Sequence, residues 1–251
     1  MISSKTFVFT FILLLCSAAM SQPLRVVTEN LPPLQILHHD GSTSGAMVEV
    51  VNLVLKKADI DATIEIYPWA RSYQIASEPN NALIFSMFRD ESREKKFQWI
   101  GKLVATNSYL VSLKSNKNIN ITSLEEAQKY SVGTIREDLA EHYLKNSGFI
   151  ENKNLYLSSD YKTLWYMLYS GRIDLAFTNG VLWQYELKYT GLDPSKIKFA
   201  YPIPDFSSQL YLSASLDVDK SVISRIKDAL SMIKSNGEYQ EILRKWNIKQ
   251  N

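Results

Sequence analysis

The chain is almost without cysteine. Its single thiol, Cys16, stands in an apolar stretch near the amino terminus, so once that stretch is removed neither a disulfide nor thiol chemistry remains, and a hydrophobic core must hold the fold. Excess charge is missing too. The 28 basic and 26 acidic residues become 27 and 26 without Lys5, a net charge of about +1. That excludes the basic footprint of a nucleic-acid binder and gives no pull toward an anionic membrane. No Gly-rich phosphate loop, nucleophile elbow or zinc helix motif is present. The apolar run from Phe7 to Leu15 is too short for a stable membrane span.

That run, with Lys5 before it and Ala19-Met20-Ser21 after it, reads as a secretory signal peptide over residues 1–21. Leu15 is bulky where a lipoprotein site needs a small residue, so the expected product is a free soluble protein. With 45% hydrophobic and 12% aromatic residues the chain can build a core. Its remaining length, roughly 230 residues, allows one large domain or two lobes.

Leu24 to Thr28 reads as a strand that leads into Glu29-Asn30-Leu31-Pro32-Pro33, where two prolines fix an extended loop and hold Glu29 at a strand end. His38 and His39 share a polar turn and face different ways, which suits solvent better than a metal. Gly45 precedes a helix with Met47, Val50, Val51, Val54 and Leu55 on one stripe. A strand over Ala62 to Tyr67, a helix opened by Pro68-Trp69-Ala70-Arg71 and a strand over Ala82 to Met87 complete a β-α-β-α-β run, the pattern of a parallel sheet. After a strand at Ser108 to Leu113, Thr122 with Glu125 predicts a capping box for a helix through Lys129. A second α/β run follows: a strand at Ser131 to Thr134, a helix over Leu139 to Asn146, a strand at Leu155 to Leu157, a helix over Asp160 to Ser170 and a strand at Ile173 to Phe177. A helix carrying Trp183 and Tyr185 comes next. A strand at Leu210 to Ser213, a helix capped by Asp219 and a final helix with Tyr239, Ile242, Leu243 and Trp246 close the chain.

The stretch from Ser86 to Gly101 organises the rest. It leaves a buried strand and presents Arg89 and Arg93 in a loop-to-helix turn, where ligands bind in open α/β sheets. Asp90 can cap the short helix that follows, which puts Arg93 in the first turn and orients it toward an anion. The competing reading is a solvated charged turn, since Asp90, Glu91 and Glu94 nearly balance the cations.

The order of signal peptide, Glu29-Asn30-Leu31-Pro32-Pro33, Pro68-Trp69-Ala70-Arg71, Arg89 through Phe97, Gly171-Arg172-Ile173-Asp174 and the terminal Gly237-x-Tyr239-x-x-Ile242-x-x-x-Trp246 resembles the family 3 extracellular solute-binding proteins, the polar-amino-acid-type periplasmic binding proteins of ABC importers. The resemblance implies a type II periplasmic-binding-protein fold of two α/β lobes with the ligand cleft between them. Lobe 1 would span 22–106 plus 207–251, and lobe 2 would span 107–206. Arg93 falls where the family's arginine grips a carboxylate, with Ser86, Phe88 and Arg89 on the same wall. Trp69 and Leu31 fall against the ligand's apolar part. On lobe 2, Arg136 lies beside a strand end facing the cleft, and Asn179 matches a position that often carries an aspartate for the α-ammonium. The small Gly-Thr pair that often cradles a carboxylate is here Glu137-Asp138.

With Asn179 neutral, an ammonium would need Glu29 or another acid. Arg71 could contact ligand or form a surface ion pair. The resemblance thus implies a monomeric periplasmic protein that takes a small polar, carboxylate-bearing ligand to an ABC permease, with no cofactor, no metal and no nucleic acid. Two other classes remain open. One is a module reporting ligand to a membrane sensor; the other is a periplasmic dehydratase-like enzyme using Glu29 as acid or base.

Overall fold

The computed structural model describes residues 23–180, 182–206 and 209–248. The expected signal peptide, the lobe boundary expected at Ser207 and the last three residues lie outside them. In chain order, β1 (Arg25–Thr28), the two-residue strands β2 (Ile36–Leu37) and β3 (Thr43–Ser44), α1 (Ala46–Lys57), β4 (Ile64–Ile66), α2 (Trp69–Ser77), β5 (Ala82–Phe88), α3 (Glu91–Glu94) and β6 (Gln98–Ala105) come first. Then follow β7 (Ser108–Leu113), α4 (Leu124–Ala127), β8 (Val132–Ile135), α5 (Leu139–Asn146), β9 (Leu155–Ser158), α6 (Tyr161–Tyr169), β10 (Leu175–Asn179), α7 (Trp183–Tyr189) and β11 (Ile197–Ile203). The chain finishes with β12 (Gln209–Ala214), α8 (Lys220–Ser235) and α9 (Glu238–Lys245).

Two five-stranded sheets result, one per lobe. The first is ordered β4-β1-β5-β12-β6 and the second β11-β7-β10-β8-β9. The chain passes between them after β6 and returns after β11. The first β-α-β-α-β run is parallel as the sequence predicts, β1 pairing with β4 and β5, and each sheet as a whole is mixed: β12 runs antiparallel to β5 and β6, and β7 runs antiparallel to β10 and β11. The returning strand enters the first sheet beside β5, and a strand arriving by that route can pair antiparallel without a helical crossover.

The centre of each sheet is its most apolar strand. All seven residues of β5 and all five of β10 are buried, so their carboxyl ends are rigid platforms at the junction of the lobes. The stripe of α1 buries Met47, Val50, Val51, Val54 and Leu55, and α8 covers the same layer with Ile223, Ile226, Leu230 and Ile233. Gly45 has φ +121°, and a Cβ there would stand 2.5 Å from the Leu34 carbonyl oxygen, so only glycine fits between the proline loop and α1. The α4 cap is one residue later than the sequence suggests. Ser123 accepts from Glu126 N while the Glu126 carboxylate takes Thr122 N and Oγ1, and the helix stops at Ala127.

Candidate functional site

At Ser86, two residues short of its end, β5 bulges. Its φ is +61°, a left-handed backbone that costs a non-glycine residue on the order of 1 kcal/mol, and the pairing with β12 slips between Tyr211 and Leu212. Ser86 Oγ donates to Gln35 Oε1 at 3.1 Å, and Gln35 donates to Thr28 Oγ1 at 3.0 Å. This buried chain of hydrogen bonds ties the proline loop to the end of β5.

Arg93 follows from the cap. The Asp90 carboxylate accepts from Arg93 N at 3.0 Å, which fixes α3 and turns the arginine inward, where it is 1% exposed. Nη1 donates to the Phe88 carbonyl at 3.2 Å and Nη2 to the Glu137 carbonyl of the other lobe at 3.3 Å. The guanidinium carbon lies 5.0 Å from the Tyr73 ring centre and 5.5 Å from that of Trp69. Trp69 Nε1 donates to the same Glu137 carbonyl at 2.8 Å. One lobe 2 carbonyl therefore takes two lobe 1 donors. Glu137 has φ +60°, a left-handed backbone that glycine would adopt more readily, and its N–H is held by Glu141 Oε2 at 2.6 Å. Among the described residues Arg93 makes no ion pair, and most of its five N–H donors are not committed to protein acceptors.

Three buried carboxyls converge on this junction: Glu29 after β1, Asp138 at the start of α5, and Glu186 in α7. Asp138 caps α5 through Leu139 N at 2.6 Å. Burial pushes it above the ordinary carboxylate range, and the Arg93 charge opposes that rise. Glu29 is pushed well up by burial, then by the nearby Asp138 and Glu186, again against Arg93. Burial pushes Glu186 up to about 8, opposed by the Trp165 indole N–H, which donates to Oε2 at 2.7 Å. The Tyr161 phenol, raised well above its usual range by burial, feels all three acids. The Arg93 charge acts on both Glu29 and Asp138, an arrangement that suits a guest carrying a cation and an anion.

Two separate cavities have walls from both lobes. One, about 420 Å³, is lined from both lobes by Tyr73, Arg93, His142, Tyr143 and Phe206 among others. The other, about 400 Å³, is lined by Asn30, Pro32, Tyr161, Glu186 and Tyr189. Phe206 packs edge-on against Phe88, Phe177 and Tyr143 at 4.9–5.5 Å between ring centres, which seals the hinge side.

The structure thus gathers Glu29, Trp69, Phe88 and Arg93 at the junction. Ser86 borders it with its hydroxyl engaged by Gln35. Asn179 is buried at the end of β10 and accepts from Ser108 Oγ at 3.2 Å, next to the first crossing. Leu31 lies in the lobe 1 core, bridged to Gln35. Arg89 and Arg136 are not brought to the cluster. The Arg89 fork is held by Glu94 at 2.6 and 2.8 Å beside Trp99 and Tyr211, and Arg136 is half exposed and paired with Glu151 at 3.3 Å. Arg71 stacks on Tyr67. Sequence reasoning missed Asp138, Tyr161, Glu186 and Phe206 as members. The spacing Leu182, Trp183, Glu186, Leu187 was the available signal, because it places an acid on the buried face of α7.

Residues 24–249 match the family model described as bacterial extracellular solute-binding proteins, family 3. An arginine-binding periplasmic protein of Mannheimia haemolytica is 25% identical over 230 residues, covering 91% of this chain and 92% of that protein. The arginine-, lysine-, histidine-binding protein of Geobacillus stearothermophilus superposes with a TM-score of 0.78 at 14% identity, over 91% of this chain and 96% of that one. A histidine kinase sensor domain similar to periplasmic binding proteins superposes with a TM-score of 0.79 at 16% identity, over 90% and 96% of the two chains.

Proposed function

The chain belongs to the bacterial extracellular solute-binding proteins of family 3, and from that premise we propose that it captures a small zwitterionic, amino-acid-like solute between its lobes in the periplasm and hands it to an ABC permease. The observation that carries the reading is Arg93. A guanidinium 1% exposed, with only main-chain carbonyls as hydrogen-bond partners, is a buried charge that a ligand carboxylate would neutralise bidentately. Asp138 and Glu29 supply the negative charge for the ligand's ammonium that Asn179 lacks. Trp69 and Phe88 shape the apolar wall. No covalent step is needed, because these groups bind rather than react. The names of its relatives support amino acids as the first class to try.

The test is calorimetric titration of the purified protein with L-arginine, L-lysine, L-glutamine and L-glutamate, and with the amines that lack their carboxylates. At least one amino acid binds, its amine counterpart binds at least tenfold more weakly, and Arg93→Ala removes the difference. Equal binding of an amine and its amino acid, unaffected by Arg93→Ala, contradicts the carboxylate role. Loss of uptake of the same solute in cells lacking the protein supports delivery to a permease. Unchanged uptake with a lost transcriptional response points to a sensor partner instead.

A further inference from the structure

Side chains of one lobe reach main-chain carbonyls of the other at two places. Trp69 Nε1 and Arg93 Nη2 of lobe 1 both donate to the Glu137 carbonyl, at 2.8 and 3.3 Å. Tyr189 Oη of lobe 2 donates to the Leu37 carbonyl at 2.7 Å. These bonds join protein to protein and need no third molecule to complete them.

The Glu137 carbonyl is braced for this use. Glu137 stands in the turn between β8 and α5 at φ +60°, a conformation that a non-glycine residue holds only when its surroundings impose it. Its N–H is taken by Glu141 Oε2 at 2.6 Å, and the Glu141 side chain, 3% exposed, is fixed in turn by Lys145 Nζ at 2.5 Å on Oε1. Lys145 also pairs with Glu151 at 3.1 Å. On the other flank, the Asp138 N–H donates back into lobe 2, to the Ile135 carbonyl at 3.3 Å. Asp138 N–H and Glu137 C=O belong to one trans peptide and point in opposite directions, so the same bond turns the carbonyl out toward lobe 1. Glu141 touches neither lobe 1 donor, yet it sets where their acceptor stands.

We propose that the Glu137 carbonyl, positioned by Glu141, and the Tyr189–Leu37 bond form a latch that keeps the lobes together before any solute binds, so that the solute enters through a minority open form. The latch rests on the reading of the cleft as the site of capture, but on no particular solute. Because Arg93 and Trp69 serve both the latch and the proposed solute site, the latch competes with the solute for their donors. The fraction of open protein then scales the apparent affinity.

The test uses protein freed of co-purified solute by unfolding, dialysis and refolding. Residues 22–251 contain no cysteine, so a single introduced thiol can be followed by its rate of reaction with a disulfide reagent. Glu29→Cys places the thiol at the junction, where Asp138 and Glu186 of lobe 2 act on the native residue, and Val54→Cys places a control thiol in the core of lobe 1. In the folded, solute-free protein the junction thiol reacts more slowly than in the unfolded chain by about tenfold or more, as expected of an open form populated at up to about 10%. Tyr189→Phe and Trp69→Phe each speed it by roughly two- to tenfold, the weight of one net hydrogen bond, and leave the control thiol unchanged. Glu141→Ala does the same, and Glu141→Gln, which keeps an acceptor for the Glu137 N–H, restores protection. Weaker protection of the junction thiol in the unaltered background overturns the latch, because the lobes are then apart without solute. Protection that neither Tyr189→Phe nor Trp69→Phe changes also overturns it, as does equal acceleration of both thiols, the mark of general destabilisation. None of these outcomes depends on the amine and amino-acid titrations, so the carboxylate role of Arg93 stands or falls separately.

Discussion

Arg93 and Glu186 are buried under opposite deficits. Among the described residues Arg93 makes no ion pair, although its charge acts on Asp138 and Glu29; one oxygen of Glu186 lacks a donor. The consequence for stability follows from the direction of the Glu186 shift. Its ordinary value is 4.5 and burial pushes it up to about 8. Below pH 4.5 the group is protonated in folded and unfolded chains alike and costs nothing. Between 4.5 and 8 the unfolded chain ionises first, so this residue's contribution falls as pH rises, by a total on the order of a few kcal/mol. Glu29 and Asp138, also raised, act in the same direction. Ligand-free protein is therefore predicted to melt at lower temperature at pH 8 than at pH 5, and Glu186→Gln to flatten that slope. Scanning calorimetry at the two pH values reads it; equal slopes in both proteins contradict the assignment. At this scale the cap was legible in the sequence: Asp90 takes Arg93 N, and that turn carries the guanidinium inward rather than into solvent. It did not announce Asp138 or Glu186. Their chemistry depends on lobe-to-lobe juxtaposition, which no local pattern encodes, and Arg89 and Arg136 looked equally suitable until Glu94 and Glu151 were seen to hold them.

The elements that position the site are short and held by backbone conformations few residues accept. The proline loop docks on α1 through Gly45, where Ala46 N and Met47 N donate to the Pro33 and Leu34 carbonyls at 3.0 and 2.8 Å. Gly45→Ala adds a Cβ 2.5 Å from a carbonyl oxygen at φ +121°. Strain and displaced packing there are worth about 2–4 kcal/mol. That lowers the melting temperature by roughly 5–15 °C for a protein of this size, measured by circular dichroism. An unchanged melting temperature shows that the loop can move away freely. Most elements were legible from periodicity and caps, α1, α6 and α8 above all. The strands β6 and β11 were not. In β6 the buried positions do not alternate and its pairing with β12 slips twice, and β11 is an edge strand that holds Pro202 and buries chiefly its two ends. A strand whose inward face is set by bulges leaves no period of two to read.

At the scale of the whole molecule, two sheets with apolar central strands meet so that one lobe 2 carbonyl, that of Glu137, takes donors from Trp69 and Arg93, while Tyr189 reaches Leu37 on the other side. Two connections and these few cross-lobe bonds are what a hinge needs. In this arrangement Asp138 of lobe 2 lies within electrostatic reach of Arg93 of lobe 1, so a solute bearing both charges would meet both lobes at once. The two-lobe plan was visible in the order of the sequence segments, whereas the balance of charge at the junction emerged only once both lobes were in place. The most direct test of the account is a crystal structure of the protein grown with whichever amino acid binds tightest. The account predicts its carboxylate about 3 Å from the Arg93 guanidinium nitrogens, its ammonium turned to Asp138 and Glu29, and the lobes joined through Glu137. A solute bound outside the junction, or one whose carboxylate faces solvent while Arg93 keeps only its carbonyl partners, contradicts it.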